Sequence, residues 1–175
     1  FRTTLFLCQF SACPAVWLDS ISNIHTYLAH EGQNMSKKNV NGPALVGDLW
    51  YGHAVMNTGK RTATATGALD AFFPAVLALD GDLNRARALQ DSMFKMWQAN
   101  GIEPEVFDYS TMKTGNAGYP LRPEIVESTY YLYHYTKDPK YLVMGKVMFD
   151  DFVKSCRTDV TYAGLKNVMT TETTD

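Results

Sequence analysis

The chain has 175 residues, 46% apolar and 19% charged, with a formal net charge of −2. That length supports one domain with a real core, and the balance is that of a globular protein. No basic tract reaches five residues, which argues against a nucleic-acid partner.

Three cysteines, Cys8, Cys13 and Cys156, form no C-x-x-C pair and no Cys/His cluster, which argues against a structural zinc site. An odd count leaves at least one thiol unpaired within the chain, and a Cys8–Cys13 or a Cys13–Cys156 bridge stays open. Asn34-Met35-Ser36 is a glycosylation sequon that has meaning in the secretory pathway. Aromatics reach 13%, with ten tyrosines; such a surface suits a polyhydroxyl ligand, and a tyrosine-rich helical core reads the same. No initiator Met is present, and both ends read as cut from something longer.

In chain order, residues 1–18 are apolar with Arg2 as their one charge. They fit a signal-peptide core, a buried helix or a strand; Thr3, Thr4, Gln9, Ser11 and Pro14 argue against a membrane span. Ile21, Ile24, Tyr27 and Leu28 give residues 19–30 helical spacing. Residues 31–47 have loop composition. An extended hairpin arm is expected over 49–59 and a loop over the Thr-rich 62–67. Residues 68–79 read as a buried helix, with Pro74 in its first turn because only there is its missing N–H harmless. Asp82 then caps a helix with Leu83, Ala86, Leu89, Met93, Met96 and Trp97 on one stripe, and Asn100-Gly101 stops it. Residues 102–118 read as irregular. A further helix is expected from Pro123 to about 135. Asp138 caps the next, which runs to about 156. Residues 162–168 hold one more short element. Helix, short turn and helix repeat, so the expected class is all-α with helices paired as hairpins.

The stretch from Tyr119 to Tyr133 carries the chemistry. Pro123 suits a first helical position, and Glu124 falls in the first turn, where the helix dipole favours a carboxylate and tends to keep it ionised. Glu127 shares its face and Arg122 precedes it. Taken alone, this is also how an ordinary helix begins beside a solvated ion pair. Asp70 and Glu105 stand at comparable loop-to-helix junctions, which a ring of hairpins would bring to one end; each also reads as a plain cap or a solvated acid. Paired acids near aromatics are what glycoside hydrolysis needs, one protonating the leaving oxygen while the other activates water.

Leu121-Arg122-Pro123-Glu124-Ile125-Val126-Glu127-Ser128, followed by Tyr131-Leu132-Tyr133 and Thr136-Lys137-Asp138-Pro139-Lys140-Tyr141, closely resembles glycoside hydrolase family 47, the class I α-1,2-mannosidases. Asp70-Ala71-Phe72-Phe73-Pro74 is similar to that family's second acidic motif, in the form of its ER degradation-enhancing α-mannosidase-like branch. Gly101-Ile102-Glu103-Pro104-Glu105 resembles its Leu-Pro-Glu segment, and Cys156 with Tyr162-Ala163-Gly164-Leu165 and Val168 a later stretch.

The resemblance implies an (αα)7 barrel, the α/α toroid, incomplete in this chain. Residues 49–175 would be a partial catalytic domain, and 1–48 a segment with no motif to match. The implied activity is inverting, calcium-dependent removal of α-1,2-linked mannose from high-mannose N-glycans, in the lumen of the endoplasmic reticulum (ER) and linked to ER-associated degradation. Asp70, Glu105 and Glu124 would be catalytic. Arg122 and Glu127 would hold sugar hydroxyls or the calcium's water shell. The family's proton-donating Glu motif finds no match in 1–48, and its calcium-binding Thr is expected beyond the C-terminus, so the piece itself would be inactive. The implied partners are high-mannose N-glycans on glycoproteins, with a protein disulfide isomerase as a further candidate. The competing reading is a helical-repeat module that binds a glycan or protein without turning it over.

Overall fold

The structure, a computed structural model, describes residues 13–31 and 48–174. Cys8, the Asn34 sequon and all but Glu31 of the loop expected over 31–47 lie outside them; Glu31 itself ends a strand. Five helices carry the described part: α1 (Cys13–Tyr27), α2 (Phe73–Asp80), α3 (Leu83–Asn100), α4 (Glu124–Thr136) and α5 (Lys140–Cys156). Short strands join them: β1 (Ala29–Glu31), β2 (Leu49–Tyr51), β3 (His53–Ala54), β4 (Arg61–Ala63), β5 (Ala65–Gly67), β6 (Val106–Asp108), β7 (Lys113–Thr114), β8 (Leu165–Asn167) and β9 (Glu172–Thr173).

The core lies where α2, α3 and α4 meet, with α5 against α4. The α3 stripe faces it as its spacing requires: Ala86, Leu89, Met93, Met96 and Trp97 are buried, against Leu77, Ile125, Leu132, Tyr141 and Met148 from the other helices. Asp82 caps α3 by accepting from the Arg85 N–H at 3.1 Å. Gly101 ends it in the left-handed region at φ 75°, where a side chain would be strained. Asp138 accepts from the Lys140 N–H at 3.0 Å and so opens α5. Cys156 closes α5 as a free, buried thiol, and burial pushes its pKa up to about 11.

The helix expected over 68–79 is two pieces, and Pro74 is the reason. Lacking an N–H, it cannot bond to the Asp70 carbonyl, which is taken instead by the Phe73 N–H. A 3₁₀ helix (Ala68–Phe72) therefore precedes α2, and Pro74 falls in the first turn of α2. The next bond of the ladder is spliced by another helix. Ser128 of α4 donates to the Ala71 carbonyl at 2.7 Å and accepts from the Ala75 N–H at 3.3 Å.

Strands occur where loop or irregular chain was expected. β5, β6 and β7 form one antiparallel sheet, with Ala65 opposite Asp108 and Gly67 opposite Val106. Two- and three-residue strands are too short to show alternation, and their partners are remote in sequence. The hairpin arm expected to end at Gly59 runs on, with β3 paired to β4. The helix expected from residue 19 begins at Cys13, since Pro14 is tolerated in a first turn. It stops at Tyr27, and Ala29–Glu31 pairs with β2.

Ser128→Ala leaves a buried carbonyl and a buried N–H without their shared hydroxyl. It should cost about 1–3 kcal/mol of stability, read as a lower urea midpoint with an unchanged slope.

Candidate active site

The mouth of α4 is held by backbone bonds from three directions. The Glu105 N–H donates to the Gly118 carbonyl at 2.8 Å, and the Ala68 N–H to the Glu105 carbonyl at 3.1 Å. Tyr119 and Leu165 exchange N–H···O bonds, both at 2.8 Å. Gly164 allows this approach, because a Cβ there would lie 2.7 Å from the Tyr119 carbonyl oxygen. Leu121 then turns the chain through a positive φ of 59°. Pro123 stands one position earlier than the sequence suggests, as the cap itself, and its carbonyl accepts from the Glu127 N–H at 2.9 Å. Glu124 keeps its place in the first turn.

Four charged side chains converge here. Arg122 forks onto Glu105, Nη2 to Oε1 at 2.6 Å and Nε to Oε2 at 3.1 Å. This bidentate pair holds the guanidinium above its ordinary pKa and fixes both planes. The Tyr119 hydroxyl donates to the Arg122 carbonyl at 3.1 Å; burial, then Glu103, keeps that phenol protonated well past its usual range. Glu103 is fully buried, and neither of its carboxylate oxygens has a hydrogen-bond partner among the described residues. Burial raises its pKa well above the usual carboxylate range; Glu124 and Glu105 raise it further, while Arg122 pulls it down. One oxygen of Glu124, Oε2, is likewise buried and unpartnered.

The structure thus brings together Glu105, Glu124 and Arg122, three of the residues marked by sequence. Asp70 sits at the adjoining corner, exposed, with Oδ2 accepting from the Gly67 N–H at 2.8 Å. A Cβ on Gly67 would stand 3.5 Å from Asp70 Oδ2 and 3.6 Å from the Glu105 carbonyl oxygen, so both flank one glycine. Asp70 also lines an open cavity with Tyr51, His53, Phe72 and Phe73. Glu127 lies exposed along α4, outside the ion pair. Sequence reasoning missed Glu103 as a member of the cluster. Its only local signal is a carboxylate between Ile102 and Pro104 just past a helix stop, where burial is not legible. A buried acid of raised pKa, a bonded carboxylate and a carboxylate at a helix mouth form a set that can give and take protons.

The fold matches that of an alpha-1,2-mannosidase from Trichoderma reesei, with a TM-score of 0.65 and 20% identity over 87% of this chain and 35% of that one. The family model for Glycosyl hydrolase family 47 matches residues 4–175, and the chain belongs to that family. The match takes in residues 4–48, for which motif reading finds no counterpart. Alpha-mannosidase I MNS4 of Arabidopsis thaliana is 38% identical over 62% of this chain and 17% of its own length. ER degradation-enhancing alpha-mannosidase-like protein 3 of Homo sapiens is 33% identical over 75% of this chain and 14% of its own. The chain therefore spans less than a fifth of each of these two relatives.

Glu103 also sets a pH dependence. Its folded pKa is raised, so the stability linked to its proton is fully present below the unfolded value near 4.5 and is lost as pH rises toward the folded value. Glu103→Gln should match wild type at low pH and gain on it above that value, by up to about 1.4 kcal/mol per pH unit. Urea unfolding at acid and neutral pH reads the difference.

Proposed function

We propose that the protein of which this chain is part hydrolyses terminal α-1,2-linked mannose from high-mannose N-glycans with inversion, in the ER lumen and in the service of ER-associated degradation. The observation that carries this reading is the convergence of Glu103, Glu105, Glu124 and Arg122 at the mouth of α4. Family membership and the mannosidase relatives support it. In this reading the described helices are part of an (αα)7 barrel.

Glu124 is the base. It takes a proton from a water whose oxygen bonds to the anomeric carbon, while the bond from that carbon to the glycosidic oxygen breaks and an acid protonates the leaving oxygen. Asp70, exposed at the adjoining corner, is the acid-side carboxylate. Glu105, locked to Arg122, presents fixed charge to the sugar, and Arg122 and Glu127 hold its hydroxyls. The aromatic rings of Tyr51, Phe72 and Phe73 beside Asp70 suit a sugar face.

Calcium is the ion that the family resemblance calls for. Among the described residues no group of three or more His, Cys, Asp or Glu side chains could hold a metal ion. No step above runs through it. No helix among them is long and apolar enough to cross a membrane.

In the complete protein, Glu124→Gln should reduce mannose release from a high-mannose glycan by at least about a thousandfold, since it removes the base and keeps the shape. Release within about tenfold of wild type, under about 1.4 kcal/mol of barrier, would remove Glu124 from the role. The glycan products are counted by mass.

A further inference from the structure

Arg61 of β4 carries a charge that no acid answers. Its Nε donates to the Tyr27 carbonyl at 3.3 Å and its Nη2 to the Ala29 carbonyl. These bonds satisfy the end of α1 and the start of β1 and fix the plane of the guanidinium. Carbonyls orient a charge without cancelling it. Among the described residues Arg61 enters no salt bridge, and three of its five N–H groups are left without an acceptor.

Arg61 lines a cavity of about 270 Å³ together with His30, His53, Thr62 and Tyr109, and no acidic side chain is among the lining residues. Backbone contacts set these walls. The Gly52 N–H donates to the Leu28 carbonyl at 3.0 Å, and the Tyr109 N–H to the Thr64 carbonyl at 3.0 Å. His53 pairs with Ala63 across the β3–β4 hairpin. His30 meets the edge of the Tyr109 ring, with centroids 5.5 Å apart. Gly52 makes the room, because a Cβ there would lie 2.3 Å from the Tyr109 hydroxyl oxygen. Neither imidazole and not the Thr62 hydroxyl has a hydrogen bond among the described residues. Thr64 also lines the cavity, but its hydroxyl donates to Asp108 Oδ1 at 2.8 Å, and Asp108 accepts from Ser110 and Thr111 besides. The neighbouring acid thus has its own ring of donors, outside the cavity wall.

What remains free around the cavity is one fixed positive charge and a set of donors. Each imidazole offers an N–H, and Thr62 an O–H. A neutral sugar would need acceptors for its own hydroxyl protons, and no carboxylate offers them here. An oxyanion needs only donors and a cation, and the fork of a guanidinium matches its geometry.

We infer that this cavity is a second ligand site, for a phosphate-class oxyanion, with Arg61 supplying the charge and His30, His53 and Thr62 the further donors. It shares Leu28, Gly52 and His53 with the cavity that Asp70 lines, so a phosphate carried on a sugar would stand beside that corner. The inference does not depend on the mannosidase reading.

The test is calorimetric titration of the complete protein with inorganic phosphate, a hexose 6-phosphate and the bare hexose. Inorganic phosphate should bind saturably, with a Kd below about 10 mM. Arg61→Gln should weaken it by at least about tenfold, as should His30→Ala combined with His53→Ala, since each removes hydrogen bonds to a charged group. Arg61 also holds the end of α1, so the double histidine variant decides if Arg61→Gln fails to fold. A hexose 6-phosphate that binds at least about tenfold tighter than phosphate supports the site and makes a phosphorylated glycan its source; equal affinity supports it with the free ion as ligand. No saturable phosphate binding overturns the proposal. So does phosphate binding undiminished in a folded Arg61→Gln, or in the double histidine variant. Mannose release is not read in any arm, so its loss would sink the proposed function and leave this site standing.

Discussion

The Ser128 hydroxyl, wedged between the Ala71 carbonyl and the Ala75 N–H, is the contact on which the arrangement depends. It ties the break between the 3₁₀ helix and α2 to the second turn of α4. Pro74 creates the break by withholding an N–H, and Ser128 makes use of the polar groups it exposes. Asp70 stands one residue before the splice and Glu124 one turn before the serine that makes it. Gln90 of α3 does similar work from the other side, donating from Nε2 to Thr129 Oγ1 at 2.8 Å. Buried polar groups are costly unless satisfied, so these bonds fix the helices against one another more sharply than apolar packing alone.

Onto that frame the chain places more acid than base. Arg122 is spent on Glu105, and the remaining carboxyls must manage their charge by other means. Asp70 and Glu127 stay exposed, Glu124 stands at the helix mouth, and burial raises the pKa of Glu103. Glu103, Glu105, Glu124 and Glu127 thus come to differ in partner and solvent contact. A site for acid–base chemistry needs that difference, since like groups in like surroundings could not divide the roles.

Where the chain announces itself locally, the sequence is readable. The α3 stripe from Leu83 to Trp97, the Asp82 cap and the Gly101 stop are each written within a few residues, and the structure has all three. The Arg122-Pro123-Glu124 mouth was legible for the same reason, and its likeness to a known motif added the family. The β5–β6–β7 sheet was not legible, because Ala65–Gly67 finds its partner some forty residues away and neither strand is long enough to alternate. Pro74 was correctly placed in a first turn, but the polar groups its break exposes are satisfied by Ser128, which no reading of residues 68–79 contains. Glu103 was hidden by the same kind of distance, since Tyr119, Arg122 and Glu124, whose charges or dipoles it meets, come well after it in the chain.

The exchange of backbone bonds between Tyr119 and Leu165 has a consequence for biosynthesis. The turn that delivers Arg122 to Glu105 is clamped by a segment that leaves the ribosome only after α4 and α5 have been made. Gly164 must then approach the Tyr119 carbonyl more closely than any other residue could. Until that late ribbon docks, the nascent chain carries its acids unassembled at the end of a half-built helical layer. The corner that joins Arg122 to Glu105 is therefore completed only after α5 has been made, and until then its acids depend on protection from neighbouring chains.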